Sequence, residues 1–136
     1  MPQENFSEKV SVNVNSSILS SIDLLVDHGY FSNRSDFINH ALRTVIQQNQ
    51  PVLERIMGQY ESGADATRHW FAGVYLFGAS DLEKHVAAGE TATISGYGVL
   101  VLENNLDVEK LFATVKSIQV KGKVLCSQEI KAHYGL

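Results

Sequence analysis

The chain has 136 residues, of which 44% are hydrophobic and 19% are charged; this balance suits one medium domain or two very small ones and excludes long disorder. The formal net charge is −4, and residues 1–50 and 51–136 each contribute −2, so neither part has the basic surface of a typical nucleic-acid-binding protein. The single cysteine, Cys126, excludes an intramolecular disulfide, and the longest apolar stretches, such as residues 71–79, are too short to span a membrane. We therefore expect a cytoplasmic protein with no membrane partner.

The first predicted element is a single strand over residues 8–15. Val10, Val12 and Val14 alternate there with polar residues, which is the period-two pattern of a half-buried strand. No hairpin turn and no second strand follow, and an isolated strand with one apolar face needs a partner edge. The simplest partner is the same strand of a second copy, paired antiparallel about a two-fold axis. The polar face of such a two-stranded ribbon fits the major groove of DNA.

Two amphipathic helices are predicted after the strand. The first runs from about residue 16 to His28 and stops at Gly29, whereas the second starts after Asn33, a good N-cap, and ends before Pro51. We expect the apolar stripes of both helices to form a dimer core together with the strand. This core is predicted to contain Val10, Val12, Val14, Ile22, Phe37, Ile38 and Leu42.

The rest of the chain divides into a connector and a second domain. We predict domains at 1–50 and 68–136, with a connector at 51–67 that ends in a small, polar, glycine-containing stretch. Residues 68–136 alternate strand-like and helix-like stretches, which predicts a small α+β domain. Two of its strands look alike, because the pair Ile94 and Gly98 recurs with the same internal spacing as Ile118 and Gly122. The distance between the two pairs is close to one strand-helix unit, which suits a short stack of such units that presents an edge for assembly.

No set of residues points to catalysis or to metal binding. The histidines at positions 28, 40, 69, 85 and 133 are scattered, without a His-x-His pair or a compact cluster around Cys126. The glycines at 96 and 98 lack the pattern of a phosphate-binding loop, and no Ser/His/Asp or Cys/His set has a supporting spacing. We therefore expect no enzyme activity, no cofactor and no metal.

The segment from Gly29 to Asp36, "GYFSNRSD", carries a family resemblance. It leads into the second helix and follows the strand "KVSVNV" and the first helix. In this order, the chain from Lys9 to Gln48 resembles the ribbon-helix-helix DNA-binding proteins of the Arc/MetJ/CopG type. The resemblance implies a β-α-α fold that intertwines with a second copy, joined here to the C-terminal α+β domain. Because nickel-responsive members of that family carry a ferredoxin-like domain, a ferredoxin-like layout of residues 68–136 is an alternative to the strand-helix stack.

The resemblance also implies which residues contact DNA. The alternate polar residues of the strand, which contact bases in that family, correspond here to Lys9, Ser11 and Asn13. The start of the second helix, which holds a phosphate in that family, corresponds to Asn33, Arg34 and Ser35.

Each of these residues also has a purely structural interpretation. The polar strand residues are compatible with the solvated face of an edge strand, and Asn33 and Ser35 with a helix cap. Arg34 is equally suited to a surface ion pair with Asp27 or Asp36.

The function that the resemblance implies is sequence-specific binding of double-stranded DNA by a homodimeric regulator of transcription, most commonly a repressor. The C-terminal domain is expected to mediate higher assembly or to sense a protein partner or a small effector. One alternative is an antitoxin that regulates its own operon and binds a toxin through its C-terminal half; another is a protein-interaction module on the same dimer fold. The low basic content predicts modest affinity for one dimer, so that several dimers side by side or a bent operator would be needed.

Overall fold

The computed structural model describes residues 6–63 and 67–136. The chain divides into two compact units, Met1–Arg55 and Ile56–Leu136. It combines helices with a parallel sheet, consistent with the predicted α+β class. No helix in the described ranges is long and apolar enough to cross a membrane.

The helices of the first unit begin and end where the capping residues indicate. They are α1 (Ser16–Asp27), α2 (Arg34–Gln48) and α3 (Gln50–Ser62), the last of which continues into the second unit. The side-chain oxygen of Asn15 accepts a hydrogen bond from the Ser17 N–H at 2.8 Å and so caps α1. The chain turns after α1 at Gly29, whose φ of +83° favours glycine. Pro51 lies in the first turn of α3, where its missing N–H leaves no hydrogen bond unmade.

The first unit buries little apolar surface within one chain. Ile22 is its only buried side chain among the described residues, with 5% of its surface exposed. Phe37 is half-buried and meets Phe31 edge to face at 5.0 Å, whereas Ile38 and Leu42 are exposed.

The predicted N-terminal strand forms no ladder within one chain. Residues 6–15 belong to no helix or strand in the structure. Val10 and Val12 are 78% and 72% exposed, and Val14 is 39% exposed. The β-α-α arrangement, which needs a second chain, therefore stays a prediction.

The second unit is built from three strands, each followed by a helix. In chain order its elements are β1 (Arg68–Phe77), α4 (Ala79–Ala88), β2 (Ala92–Leu102), α5 (Val108–Thr114), β3 (Val115–Leu125) and α6 (Gln128–Tyr134). The strands are parallel and lie in the order β1-β2-β3. They are parallel because each intervening helix returns the chain to the same end of the sheet. This order agrees with the predicted stack of strand-helix units.

The ferredoxin-like alternative is wrong for the described part of this unit. That layout requires two strands in succession between its helices, so the stretch that holds the glycines at 96 and 98 would have to be broken into two strands. Instead, β2 runs without interruption from Ala92 to Leu102. The glycines do not form a turn because they lie where neighbouring strands approach closely: a Cβ on Gly96 would stand 2.2 Å from the Phe71 carbonyl oxygen.

The helices and strands of the second unit share one apolar core. Its most deeply buried large side chains are Phe77, Leu82, Ile94, Leu100, Leu111 and Val115. Tyr134 of α6 closes this core, since its hydroxyl shares its single proton between the carbonyl oxygens of Leu111 and Val115, at 3.2 Å and 2.7 Å. Burial raises the pKa of Tyr134 to about 12.

Candidate nucleic-acid interface

The start of α2 is held by a reciprocal pair of side-chain caps. The Asn33 side-chain oxygen accepts a hydrogen bond from the Asp36 N–H at 2.8 Å, and an Asp36 carboxylate oxygen accepts one from the Ser32 N–H at 2.9 Å. Asn33 therefore has the structural role that the sequence predicted for it. Among the described residues, no acceptor is found for the N–H groups of Arg34 and Ser35, which open the helix. These two amides are free to bind an anion.

Arg34 forms a two-pronged ion pair with Asp23 of α1. Its Nε donates to one carboxylate oxygen at 2.8 Å and its Nη2 to the other at 2.9 Å. The predicted partners Asp27 and Asp36 are therefore wrong. The reason is that α1 packs beside α2, which brings a residue eleven positions earlier within reach.

The ion pair favours the charged form of both groups. Hydrogen bonds from the Arg34 guanidinium lower the pKa of the Asp23 carboxyl, and the same bonds raise the pKa of Arg34. The two side chains stay 56% and 43% exposed, so water and salt screen their attraction. An incoming phosphate would compete with Asp23 for the same guanidinium.

The three predicted base-reading residues lie in the segment before α1. Lys9, Ser11 and Asn13 are all exposed. Within the described part of the chain, none of their side chains makes a hydrogen bond or an ion pair. Their donors and acceptors are therefore available to a partner.

Comparison of the chain with models of protein families identifies its family. The model of the ribbon-helix-helix transcriptional regulator family matches residues 5–131. The chain belongs to this family. It is thus one of a family of DNA-binding regulators of transcription, whose members typically bind DNA as dimers. Comparisons with curated proteins and with solved structures gave no match.

The family match extends well beyond the helices of the first unit. It includes all three strands of the parallel sheet and most of α6. The second unit of this regulator is therefore part of what the family shares, although the resemblance in the sequence was confined to Lys9–Gln48.

The second unit of the regulator brings two distant histidines together. His69 Nε2 lies 2.8 Å from His85 Nε2, and the Tyr75 hydroxyl lies 3.5 Å from His69 Nδ1. The described residues contain no group of three or more His, Cys, Asp and Glu side chains placed to hold a metal ion. Cys126 is half-buried, and this burial raises the pKa of its thiol. The histidine pair was not predicted because its members are far apart in sequence, on a strand and on the helix after it.

Proposed function

We propose that this regulator is a homodimeric, sequence-specific repressor that reads the major groove with a two-stranded ribbon formed by residues 8–15 of two chains. The observation that carries the proposal is the exposure of Val10 and Val12 at 78% and 72% in a member of the ribbon-helix-helix family. In this proposal residues 1–50 are the DNA-binding domain, residues 51–67 are a connector, and residues 68–136 join one dimer to another.

Dimerisation gives the first unit the core that one chain lacks. Pairing two copies antiparallel places the valines of both strands against the four helices of the two chains. Each fully buried valine contributes about 1.5–3 kcal/mol, so three per chain supply several kcal/mol toward association. The exposed apolar side chains Ile38 and Leu42 of α2 would be covered in the same core.

The opposite face of the ribbon would then contact bases. Lys9 can donate to O6 or N7 of guanine, and Asn13 can bridge N6 and N7 of adenine. The Ser11 hydroxyl can form a hydrogen bond with more than one kind of base. Their alternate positions place them on the face opposite the valines.

The start of α2 would bind the DNA backbone. The free amides of Arg34 and Ser35 and the positive end of the helix dipole favour a phosphate oxygen. Asn33 fixes the position of these amides through its cap to Asp36. Asp23 limits what the Arg34 charge adds, because the carboxylate already accepts hydrogen bonds from Nε and Nη2 and offsets the positive charge.

Few basic groups are available at each half-site, so one dimer is expected to bind modestly. Each phosphate neutralised by Lys or Arg contributes about −0.9 to the slope of log K against log salt. With Lys9 and Arg34 per half-site, a single dimer should show a slope of about −4 or shallower. A much steeper slope for one isolated dimer would contradict this count of basic groups that contact phosphates.

The proposal is tested by selecting bound fragments from genomic DNA and measuring affinity for the selected site. Lys9→Ala combined with Asn13→Ala should remove the preference for the selected site while the dimer persists. The matched control is Lys84→Ala with Asn104→Ala, which makes the same two changes at exposed positions of the second unit and should leave the preference intact. Retention of the preference in the first variant, or its loss in the control, would refute the base contacts.

The second unit of this chain does not favour an antitoxin that wraps a toxin. That function relies on a C-terminal half that orders on binding, whereas the second unit of this chain has a buried core of its own.

A further inference from the structure

A row of glycines crosses the parallel sheet. Gly73 of β1 lies opposite Gly98 of β2, which in turn lies opposite Gly122 of β3. Their φ angles are +119°, +119° and +145°, a region that favours glycine. The three glycines are also almost evenly spaced along the sequence. The same backbone feature therefore recurs in each strand-helix unit.

Gly98 and Gly122 each leave room for the carbonyl oxygen of the strand before. A Cβ on Gly98 would stand 2.0 Å from the Gly73 carbonyl oxygen, and a Cβ on Gly122 would stand 2.0 Å from the Gly98 carbonyl oxygen. Gly73 has the same φ as Gly98, yet apart from Gly73 and its two chain neighbours no described atom lies within 4 Å of the position its Cβ would take. The outer edge of β1 thus carries the same notch without the carbonyl that fills it elsewhere.

The outer edge of β3 has the complementary feature. In this row the carbonyls of Gly73 and Gly98 each point to the next strand, so the Gly122 carbonyl should point away from the sheet. Among the described residues, β1 and β3 each pair on one side only. Both edges are accessible, since Gly73 and Gly122 are exposed together with their neighbours in sequence.

We propose that the second units of separate copies join head to tail, with β3 of one copy adding in parallel to the outer edge of β1 of the next. The Gly122 carbonyl of one copy would enter the Gly73 notch of the other. Continuing the register of the sheet then places Lys121 opposite Ala72, Lys123 opposite Val74 and Leu125 opposite Leu76. This pairing covers Val74 and Leu76, which are 54% and 38% exposed. It also gives hydrogen-bond partners to the backbone N–H and C=O groups along the two open strand edges.

A second copy is the occupant that fits this edge best, because the chain itself supplies a parallel strand with a glycine carbonyl in the required register. The contact uses two different surfaces, so it forms a closed ring or an open chain of copies rather than a self-complementary pair. The proposal does not rest on the DNA contacts of the first unit, and its tests use the full chain without DNA.

Disulfide trapping tests the register directly. Ala72 and Lys121 both lie opposite Tyr97 on the two sides of β2, so within one chain they are two strand spacings apart, roughly 9.5 Å. That separation is too long for a disulfide, whereas adjacent strands are within range. In a Cys126→Ser background, Ala72→Cys protein mixed with Lys121→Cys protein should form a disulfide between the two chains on mild oxidation.

The control for trapping shifts the register by two residues. Gln119→Cys replaces Lys121→Cys and moves the thiol about 6.6 Å along the strand, so at least a tenfold slower disulfide is expected. Equal rates for the two mixtures, no disulfide in either, or a faster disulfide between two copies of Ala72→Cys would overturn the proposal. The last outcome would mean that β1 edges pair with each other.

Charge substitution supplies a test that needs no cysteine. Val74 is exposed in the single chain, so changing it should leave the fold intact, which circular dichroism can verify. Val74→Lys places like charges opposite Lys123 of the next copy and should weaken assembly about two- to fivefold, as measured by sedimentation velocity. Val74→Glu should not weaken it, and Lys123→Glu should restore assembly of Val74→Lys. Identical association of the Lys and Glu variants would overturn the proposed edge pairing.

Discussion

Replacing Gly98 with alanine tests whether the glycine row holds the parallel sheet together. Gly73 provides a matched control, because both residues have a φ of +119° and only Gly98 has a carbonyl in the way of a Cβ. An alanine at such a φ costs about 1–3 kcal/mol at either position. The difference between the two variants therefore isolates the steric conflict from the backbone strain.

The magnitude of the conflict follows from the 2.0 Å between the added Cβ and the Gly73 carbonyl oxygen. Relief requires the strands to part by more than about 1 Å at a spacing of about 4.8 Å, which breaks two or more ladder hydrogen bonds at about 0.5–1.5 kcal/mol each and opens the core beside them. We expect Gly98→Ala to cost about 3 kcal/mol more than Gly73→Ala. The unit Ile56–Leu136 has an expected stability of only about 4–12 kcal/mol.

The fluorescence of Trp70 gives a direct assay. It is the only tryptophan in the chain and stacks on Tyr60 within the second unit, with ring centroids 4.6 Å apart. At low protein concentration, Gly98→Ala should lower the unfolding midpoint at least about 12 °C further than Gly73→Ala does, since 1 kcal/mol corresponds to about 4–8 °C for a unit of this size. Equal midpoints for the two variants would show that the strands do not approach closely enough at Gly98 to exclude a Cβ.

Three further predictions concern dimerisation, DNA affinity and pH. Val12→Asp should break the N-terminal dimer contact and melt the N-terminal helices, a loss of helical circular-dichroism signal that association through the sheets cannot mask, whereas Ser11→Asp on the opposite face should keep the signal; an unchanged signal in Val12→Asp would place the valines outside the interface. Asp23→Asn removes the carboxylate that competes for the Arg34 guanidinium and should steepen the salt slope of DNA binding by up to about 2 per dimer, whereas Asp27→Asn should not. Equal slopes for the two variants would show that the guanidinium does not contact a phosphate. The pKa of Tyr134 rises on folding from about 10 to about 12, so its contribution to stability is complete below about pH 10 and lost as the pH rises to about 12. The free energy of unfolding of Tyr134→Phe should therefore fall less than that of the unchanged chain over this window; an equal fall would contradict the burial of the hydroxyl.

The helix ends of the first unit were predictable because their causes are local. Asn33 caps α2 through the backbone of nearby Asp36, and Gly29 ends α1 through its own backbone. The partner of Arg34 was not predictable in the same way. Asp23 meets it only after α1 has packed against α2, and nothing in the sequence spacing distinguishes Asp23 from Asp27.

The second unit shows the limits of reading glycines as turns. Glycine often ends a strand, yet Gly96 and Gly98 lie inside one continuous strand because the neighbouring backbone needs their space. Gly98 and Gly122, which recur at the same place in two similar stretches, lie opposite each other in the sheet. The third member, Gly73, was missed because its spacing differs slightly and because His69, not isoleucine, stands at the start of its stretch.

The net negative charge of this regulator relates the proposed role of its first unit in DNA binding to that of its second unit in assembly. With a net charge of −4 and an arginine already paired with Asp23, one dimer has little nonspecific attraction to DNA. Linking dimers through their sheets, as proposed, would make each further binding event intramolecular, which would raise the effective affinity by about 10²–10⁴ without any new DNA contact. Neighbouring half-sites would then be occupied together, whereas isolated sites would stay empty. Low net charge and the proposed edge-to-edge assembly would therefore act in the same direction, favouring arrays of sites over single ones.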